Sequence, residues 1–260
     1  MTESCWLESV HPKQMLEFLD RRMTQRQTRL LAAAFCRHIE DLITPERGKR
    51  LLVEGQRFGV FYGEFRPGPP DCLLRAVEDV ERCADGLISV DVLAPANVLA
   101  DRLSAVGGFY FDCYVESWGP VDYDLIATCE AATAVHDASS VHLHLERVAT
   151  HASRAVYYSS GGTEEKQGDA SEDMAQCGLI RELIPFPKRQ VAFTPAWRTS
   201  DVMPLARGIY DERAFDRMPI LADALQDSGC DSDDILNHLR DPHATHVRGC
   251  WALDLVLSKE

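Results

Sequence analysis

The chain has 260 residues, 45% of them apolar and 26% charged, a composition that supports a buried core and excludes fibrous and disordered classes. Its 41 acidic against 27 basic side chains give a formal net charge of -14, which repels phosphate backbones, so no nucleic acid partner is expected. Length allows one large domain or two small ones.

At the amino terminus Glu3, Glu8 and Lys13 interrupt the segment before an apolar run can form, so no secretory signal is expected. The longest apolar stretches, such as Leu30 to Cys36, fall far below the about 20 residues of a membrane span, so no membrane partner is expected either. Nine cysteines, an odd number in a long chain, read as buried thiols rather than a disulfide framework, which places the protein in the reducing cytoplasm.

The apolar spacing predicts a short helix over Pro12 to Phe18 and a longer one over Thr24 to Leu42. In the longer one Thr24 and Gln27 form a capping box, and Leu30, Leu31, Ala34, Phe35, His38, Ile39 and Leu42 form the stripe. Thr44-Pro45 starts another helix, with Leu51, Leu52 and Phe58 available to face the first. The breaker-rich run from Phe61 to Pro70 is a connection, and Asp71 to Ala84 is again helical, with Gly86 suited to the left-handed position beyond its end. Val92 to Val106 reads as a helix whose start Pro95 limits. Phe109 to Val115 has the aromatic and β-branched content of a short strand.

Asp122 to Tyr158, broken at Ser139-Ser140, fits one or two packed helices. Ser159 to Ser171 is polar and glycine-rich and reads as a flexible loop. A helix follows over Ser171 to Leu183, bringing together Met174, Cys177, Leu179, Ile180 and Leu183. The last quarter gives short helices over Met203 to Tyr210, Ile220 to Leu225 and Asp234 to Leu239. The apolar segment Gly249 to Leu257 then docks into the core. The fold class expected is all-α, an irregular multi-helix globular fold with room for a small β element in the middle. It forms a single helical domain over 1–260 with a polar flexible loop near 159–171.

One cluster has ligand chemistry: Cys230, His238, His243, His246 and Cys250. Thiolates and imidazoles suit zinc, and four of the five can close a tetrahedral structural site, although the spacing matches no zinc-finger pattern. Cys36 and His38, two apart on a helix, face different directions and make no nucleophile and base pair. The acidic pairs Glu78/Glu81, Asp231/Asp234 and Glu212/Asp216 read as solvated faces or caps, as do the basic groupings around Arg21 to Arg29 and Arg47 to Arg50. There is no dinucleotide fingerprint, phosphate loop, His-Glu-x-x-His motif or nucleophile elbow, so no organic cofactor is expected.

The stretches Ile209 to Pro219, Leu221 to Leu225, Gly229-Cys230, Asp234 to Leu236, His238 and His246 to Trp251 resemble a group of paralogous proteins of planctomycete bacteria. The early pattern Met15-Leu16, Phe18-Leu19, Arg29-Leu30 and Cys36-Arg37 does so too. Many members of that group carry a further cysteine directly after the position of His238, where this chain has Leu239. The resemblance implies no activity, cofactor or catalytic residue. Two functions are therefore expected of the chain. The first is a non-enzymatic helical interaction or regulatory module that binds another protein. The alternative is a zinc-stabilised protein or metal-dependent enzyme that uses the carboxyl-terminal cluster.

Overall fold

The computed structural model describes residues 1–57, 71–94, 100–101, 103, 105–106, 121–163, 168–186 and 191–259. The fold is all-α, an irregular multi-helix globular arrangement with no strand among the described residues. The connection expected at 61–70 and the strand expected at 109–115 lie outside them.

In chain order the bounded helices are α1 (Glu3–Glu8), α2 (Pro12–Leu19), α3 (Gln25–His38), α4 (Pro45–Arg57), α5 (Cys72–Ala84) and α6 (Tyr123–Ser139). They continue with α7 (Leu145–Ser159), α8 (Ala170–Leu183), α9 (Val202–Glu212), α10 (Met218–Asp227), α11 (Asp233–Arg240) and α12 (Trp251–Leu257). Val90–Leu93 is a 3-10 turn, and beyond it Ala100, Leu103 and Val106 are helical and buried at three-residue spacing. The described residues gather into two compact units. One is Val10–Gln176, and the other is Met1–Ser9 together with Cys177–Glu260.

In the unit Val10–Gln176, α3 begins where the sequence predicts. Thr24 Oγ1 accepts from the Gln27 amide at 3.1 Å, and the Gln27 side chain accepts in return from the Thr24 amide at 3.0 Å. This satisfies two of the orphan donors of the first turn. The helix stops at His38 instead of running to Leu42, and Glu40–Leu42 tightens into a 3-10 turn that still buries Leu42. Helices α6 and α7 form a hairpin, the most extensive helix pairing in the unit. Ala127, Ala131, Ala134 and Ala138 face inward on one arm, as do Ala149, Ala152 and Ala155 on the other. Side chains this small let the two backbones approach closely, and they lose no rotamer entropy on burial.

Several charges expected on solvated faces are covered instead. The Arg26 side chain is only 13% exposed and meets Asp85 at 3.2 Å. Glu81, expected to be half of a solvated acidic pair, is buried on α5 and accepts from Arg37 Nε of α3 at 3.2 Å. Arg47 reaches Asp124 at 2.8 Å, and Arg50 binds both Asp122 and Asp124, tying α4 to the start of α6. Arg26, Asp85 and Glu81 give up hydration on packing, and the opposite charge held against each offsets that cost, whereas Arg50, Asp122 and Asp124 keep much of the exposure expected of a solvated face. Helix α8 starts on Asp169, whose Oδ1 accepts from the Ser171 and Glu172 amides at 2.9 and 3.0 Å. Met174, expected in the buried stripe of that helix, is 52% exposed, whereas Cys177, Leu179, Ile180 and Leu183 are buried.

In the unit Met1–Ser9 with Cys177–Glu260, α9 to α12 pack around Ile209, Tyr210, Leu221, Leu225, Ile235, Leu239, Leu253 and Val256. Full burial of each aliphatic side chain contributes about 1.5–3 kcal/mol. Trp6 of α1 is buried with its ring 6.3 Å from that of Phe186, and the Arg181 guanidinium donates to the Trp6 carbonyl at 3.1 and 3.0 Å. At the far end, Arg198 donates to the carbonyls of Leu255 and Val256, each at 2.8 Å. It thereby satisfies acceptors that the last turn of α12 leaves without an intrahelical partner. The carboxyl-terminal segment belongs to this core, as its sequence predicts.

Two tests follow from the buried charges. Arg37→Met leaves Glu81 buried without this partner. The expected loss lies toward the lower end of the about 3–5 kcal/mol typical of a broken buried pair, because the Arg37 side chain is 20% exposed. Denaturant unfolding measures it, and a loss under about 0.5 kcal/mol, the level of an ordinary surface change, overturns the role given to the pair. The second test concerns His38, whose Nδ1 lies 2.7 Å from Glu172 Oε2 and whose pKa is raised by that hydrogen bond. A raised folded-state value means that the contribution is fully present below the ordinary histidine value of 6.5 and is lost as pH rises through the folded-state value. Thermal midpoints of the wild type should therefore fall across that window relative to those of His38→Gln, and parallel curves would refute the assignment.

Candidate metal centre

Four side chains from four parts of the carboxyl-terminal unit converge: Glu182, His238, His246 and Cys250. Glu182 stands in the last turn of α8 and His238 in the last turn of α11. Pro242 is the second residue beyond α11, where a proline prevents the helix from continuing. Asp241 Oδ1 then accepts from the His243 amide at 2.9 Å, and its carbonyl accepts from the Ala244 amide at 3.3 Å, which turns the chain. His246 lies on the returning segment. Gly249 takes φ +94°, a backbone conformation that side-chain-bearing residues rarely adopt, and the Cys250 amide closes a turn on the Val247 carbonyl at 3.0 Å. That reversal places Cys250 at the cap position of α12, with its thiol directed inward.

The donor atoms, one from each residue, all lie within 4.8 Å of one another. His238 Nε2 is 3.3 Å from Glu182 Oε2 and 3.2 Å from Cys250 Sγ, and His246 Nδ1 is 2.8 Å from Glu182 Oε1. Zinc bonds of 2.0–2.3 Å in a tetrahedron would put neighbouring donors roughly 3.3–3.6 Å apart, so around an ion the closest donors would move slightly outward and any pair lying toward the 4.8 Å bound would move inward. The Glu182 and His246 side chains are 5% and 7% exposed, and Cys250 is fully buried. The two imidazoles meet edge to face at 5.2 Å, and the Trp251 ring covers His238 at 4.7 Å between centroids.

Burial alone would push the Glu182 carboxyl up. The hydrogen bonds and charge of His238 and His246 outweigh it and hold the group below its ordinary value. Burial, and then the negative charge of Glu182, push the Cys250 thiol well above its ordinary value. His246 Nε2 is buried without a hydrogen-bond partner, an unusual state for an interior polar atom. The donor set is mixed nitrogen, oxygen and sulfur, which suits zinc and disfavours magnesium or calcium.

Of the five candidates from the sequence, the structure brings together His238, His246 and Cys250. Cys230 sits in the apolar core, where its amide closes the turn after α10 on the Leu225 carbonyl at 3.0 Å, and it is not part of the cluster. His243 is exposed on the turn and also lies outside it. Glu182 was missed. One signal pointed to it, since an acidic residue in the last turn opposes the helix dipole and so invites a compensating partner. Elsewhere, Cys36 and His38 do not form a reactive pair: burial lifts the Cys36 thiol to about 12, and the imidazole is bound to Glu172.

No family model, curated protein or solved structure matches the chain. No described helix is long and apolar enough to cross a membrane.

The turn that delivers Cys250 can be tested on its own. Gly249→Ala forces a Cβ into the left-handed region, and the expected cost is about 1–3 kcal/mol. Thermal or denaturant unfolding measures it, and an unchanged midpoint would contradict the strain argument.

Proposed function

We propose that Glu182, His238, His246 and Cys250 hold one zinc ion that stabilises the carboxyl-terminal helical unit. The single observation that carries this reading is the convergence of four donor atoms within 4.8 Å, each from a different segment. Glu182 and a Cys250 thiolate supply two negative charges against the two positive charges of the ion, and the imidazoles complete the set as neutral ligands. Four protein donors close the tetrahedron and leave no open position for substrate, the pattern of a structural site rather than a catalytic one. Bound there, the ion would tie the end of α8 to α11, to the returning segment and to the start of α12. Its binding free energy would then become folding free energy for short helices that are marginal alone.

This reading ranks above a helical interaction module because a defined donor set stands behind it. We further propose the cytoplasm as its compartment, on the strength of buried thiols such as Cys36, Cys129 and Cys250. Membership of the planctomycete group is proposed on the quoted sequence patterns alone.

Elemental analysis of protein purified without a metal-affinity tag should give close to one zinc per chain, falling to background in Cys250→Ala and His246→Ala. A strong chelator should lower the thermal midpoint of the wild type and leave that of Cys250→Ala unmoved. Less than about 0.1 zinc per chain in wild type, with no midpoint gain on adding zinc, sinks the proposal.

A further inference from the structure

A second site stands wholly within the unit Val10–Gln176. The first two turns of α3, the end of α5 with the turn after it, and the bend beyond α6 border a cavity of about 340 Å³. Gln25, Arg26 and Arg29 form its polar wall, and Ile88, Val90 and Val141 are among its apolar lining. No carboxylate among the described residues lines it, although the chain carries a net charge of -14.

Both guanidiniums are fixed at the edge of this cavity. Arg26 Nε meets Asp85 at 3.2 Å, beside the lining residue Ala84. Arg29 Nη1 donates to the Ser140 carbonyl at 3.4 Å, beside the lining residue Val141. Residues three apart on a helix share a face, so the two cations are neighbours. They differ in what they still offer. Arg26 is paired with a covered carboxylate. Arg29 is partly buried, and this one long hydrogen bond is the only polar contact of its side chain among the described residues, so most of its five N–H donors are unused. In the same unit Arg37, Arg47, Arg50, Arg147 and Arg154 each meet a carboxylate. A partly desolvated guanidinium without an acidic partner is matched by a carboxylate, which it binds in two parallel charge-assisted hydrogen bonds.

The other wall is matched by hydrocarbon. Val141 is 56% exposed, and Leu87, next to Ile88, and Val92, two residues from Val90, are exposed as well. Apolar side chains left in water around a cavity gain when a ligand covers them. The volume falls within the about 300–1,000 Å³ of small-molecule sites. At the roughly 30 Å³ that one water takes up in the liquid, it suits a ligand of about ten non-hydrogen atoms.

We propose that this cavity binds an aliphatic monocarboxylate of the length of hexanoate or octanoate. The ligand carboxylate accepts from the Arg29 nitrogens that Ser140 leaves unused, and its chain lies against Ile88, Val90 and Val141.

Isothermal titration of the full-length protein with hexanoate and octanoate tests this, with acetate as the head alone and hexanol as the tail alone. At least one of the two acids should bind saturably, at least about tenfold more tightly than acetate or hexanol. Arg29→Gln should weaken that acid by at least about tenfold, the loss of a charge-assisted hydrogen bond, and leave hexanol unchanged. Val141→Asp, at an exposed position outside any helix, should weaken the acid as well by setting a like charge at the cavity, so it decides the matter if Arg29→Gln fails to fold. No saturable binding of either acid overturns the proposal. So does acetate or hexanol binding as tightly as the acid, or undiminished binding of the acid by either folded variant.

Discussion

The carboxyl-terminal unit depends on how a carboxylate is kept charged out of water. Glu182 gives up nearly all of its hydration at the end of a helix, where the backbone carbonyls already carry negative partial charge. An isolated anion in that position would protonate or drive the helix end apart. Two imidazoles on its two oxygens change the outcome, because each can offer it an N–H donor. The packing of α11, the returning segment and α12 follows from the need to hold those rings in place, with Trp251 closing one side and the apolar core the other.

The other unit solves the same problem by distribution. Its interior is largely alanine and leucine, supplied by the α6–α7 hairpin and by α3, and its charges sit at the seams where helices meet. Arg26 with Asp85, Arg37 with Glu81, and Arg47 and Arg50 with Asp122 and Asp124 each join residues distant in sequence. Such pairs add little net stability over a well-packed apolar contact, but they penalise any register in which one partner is buried without the other. Small side chains pack in many similar ways, and the charged seams reduce that degeneracy.

What was legible in the sequence was local. Thr24 and Gln27 announce the start of α3 because the capping box is complete within four residues, and Gly86 marks the left-handed position beyond α5. His238, His246 and Cys250 stood out because their side chains have metal-ligand chemistry wherever they fall. Glu182 did not, because a glutamate on a helix is ordinarily a solvated residue and only tertiary packing makes it a ligand. Cys230 misled for the converse reason: a cysteine beside a histidine-rich segment carries the same chemistry whether it faces a site or the core, and here the turn after α10 commits it to the core. Glu81 and Arg26 were misread in the same way, since helical periodicity says which face a charge occupies but not what lies opposite it.

The described residues use one device three times, and the differences between the three are instructive. His38 with Glu172, His151 with Glu130 and His246 with Glu182 each set a ring Nδ1 2.7–2.8 Å from a carboxylate oxygen. In the first pair Gln176 completes the carboxylate, and in the second Arg154 does, so both anions end among neutral or cationic donors. Around Glu182 the neighbours are a second imidazole and a thiol, groups that can each give up a proton and present a lone pair. A carboxylate surrounded by committed donors is a structural contact. A carboxylate surrounded by groups that can all become acceptors has the chemistry of a ligand set, and this distinction, more than the presence of histidine, sets the carboxyl-terminal cluster apart.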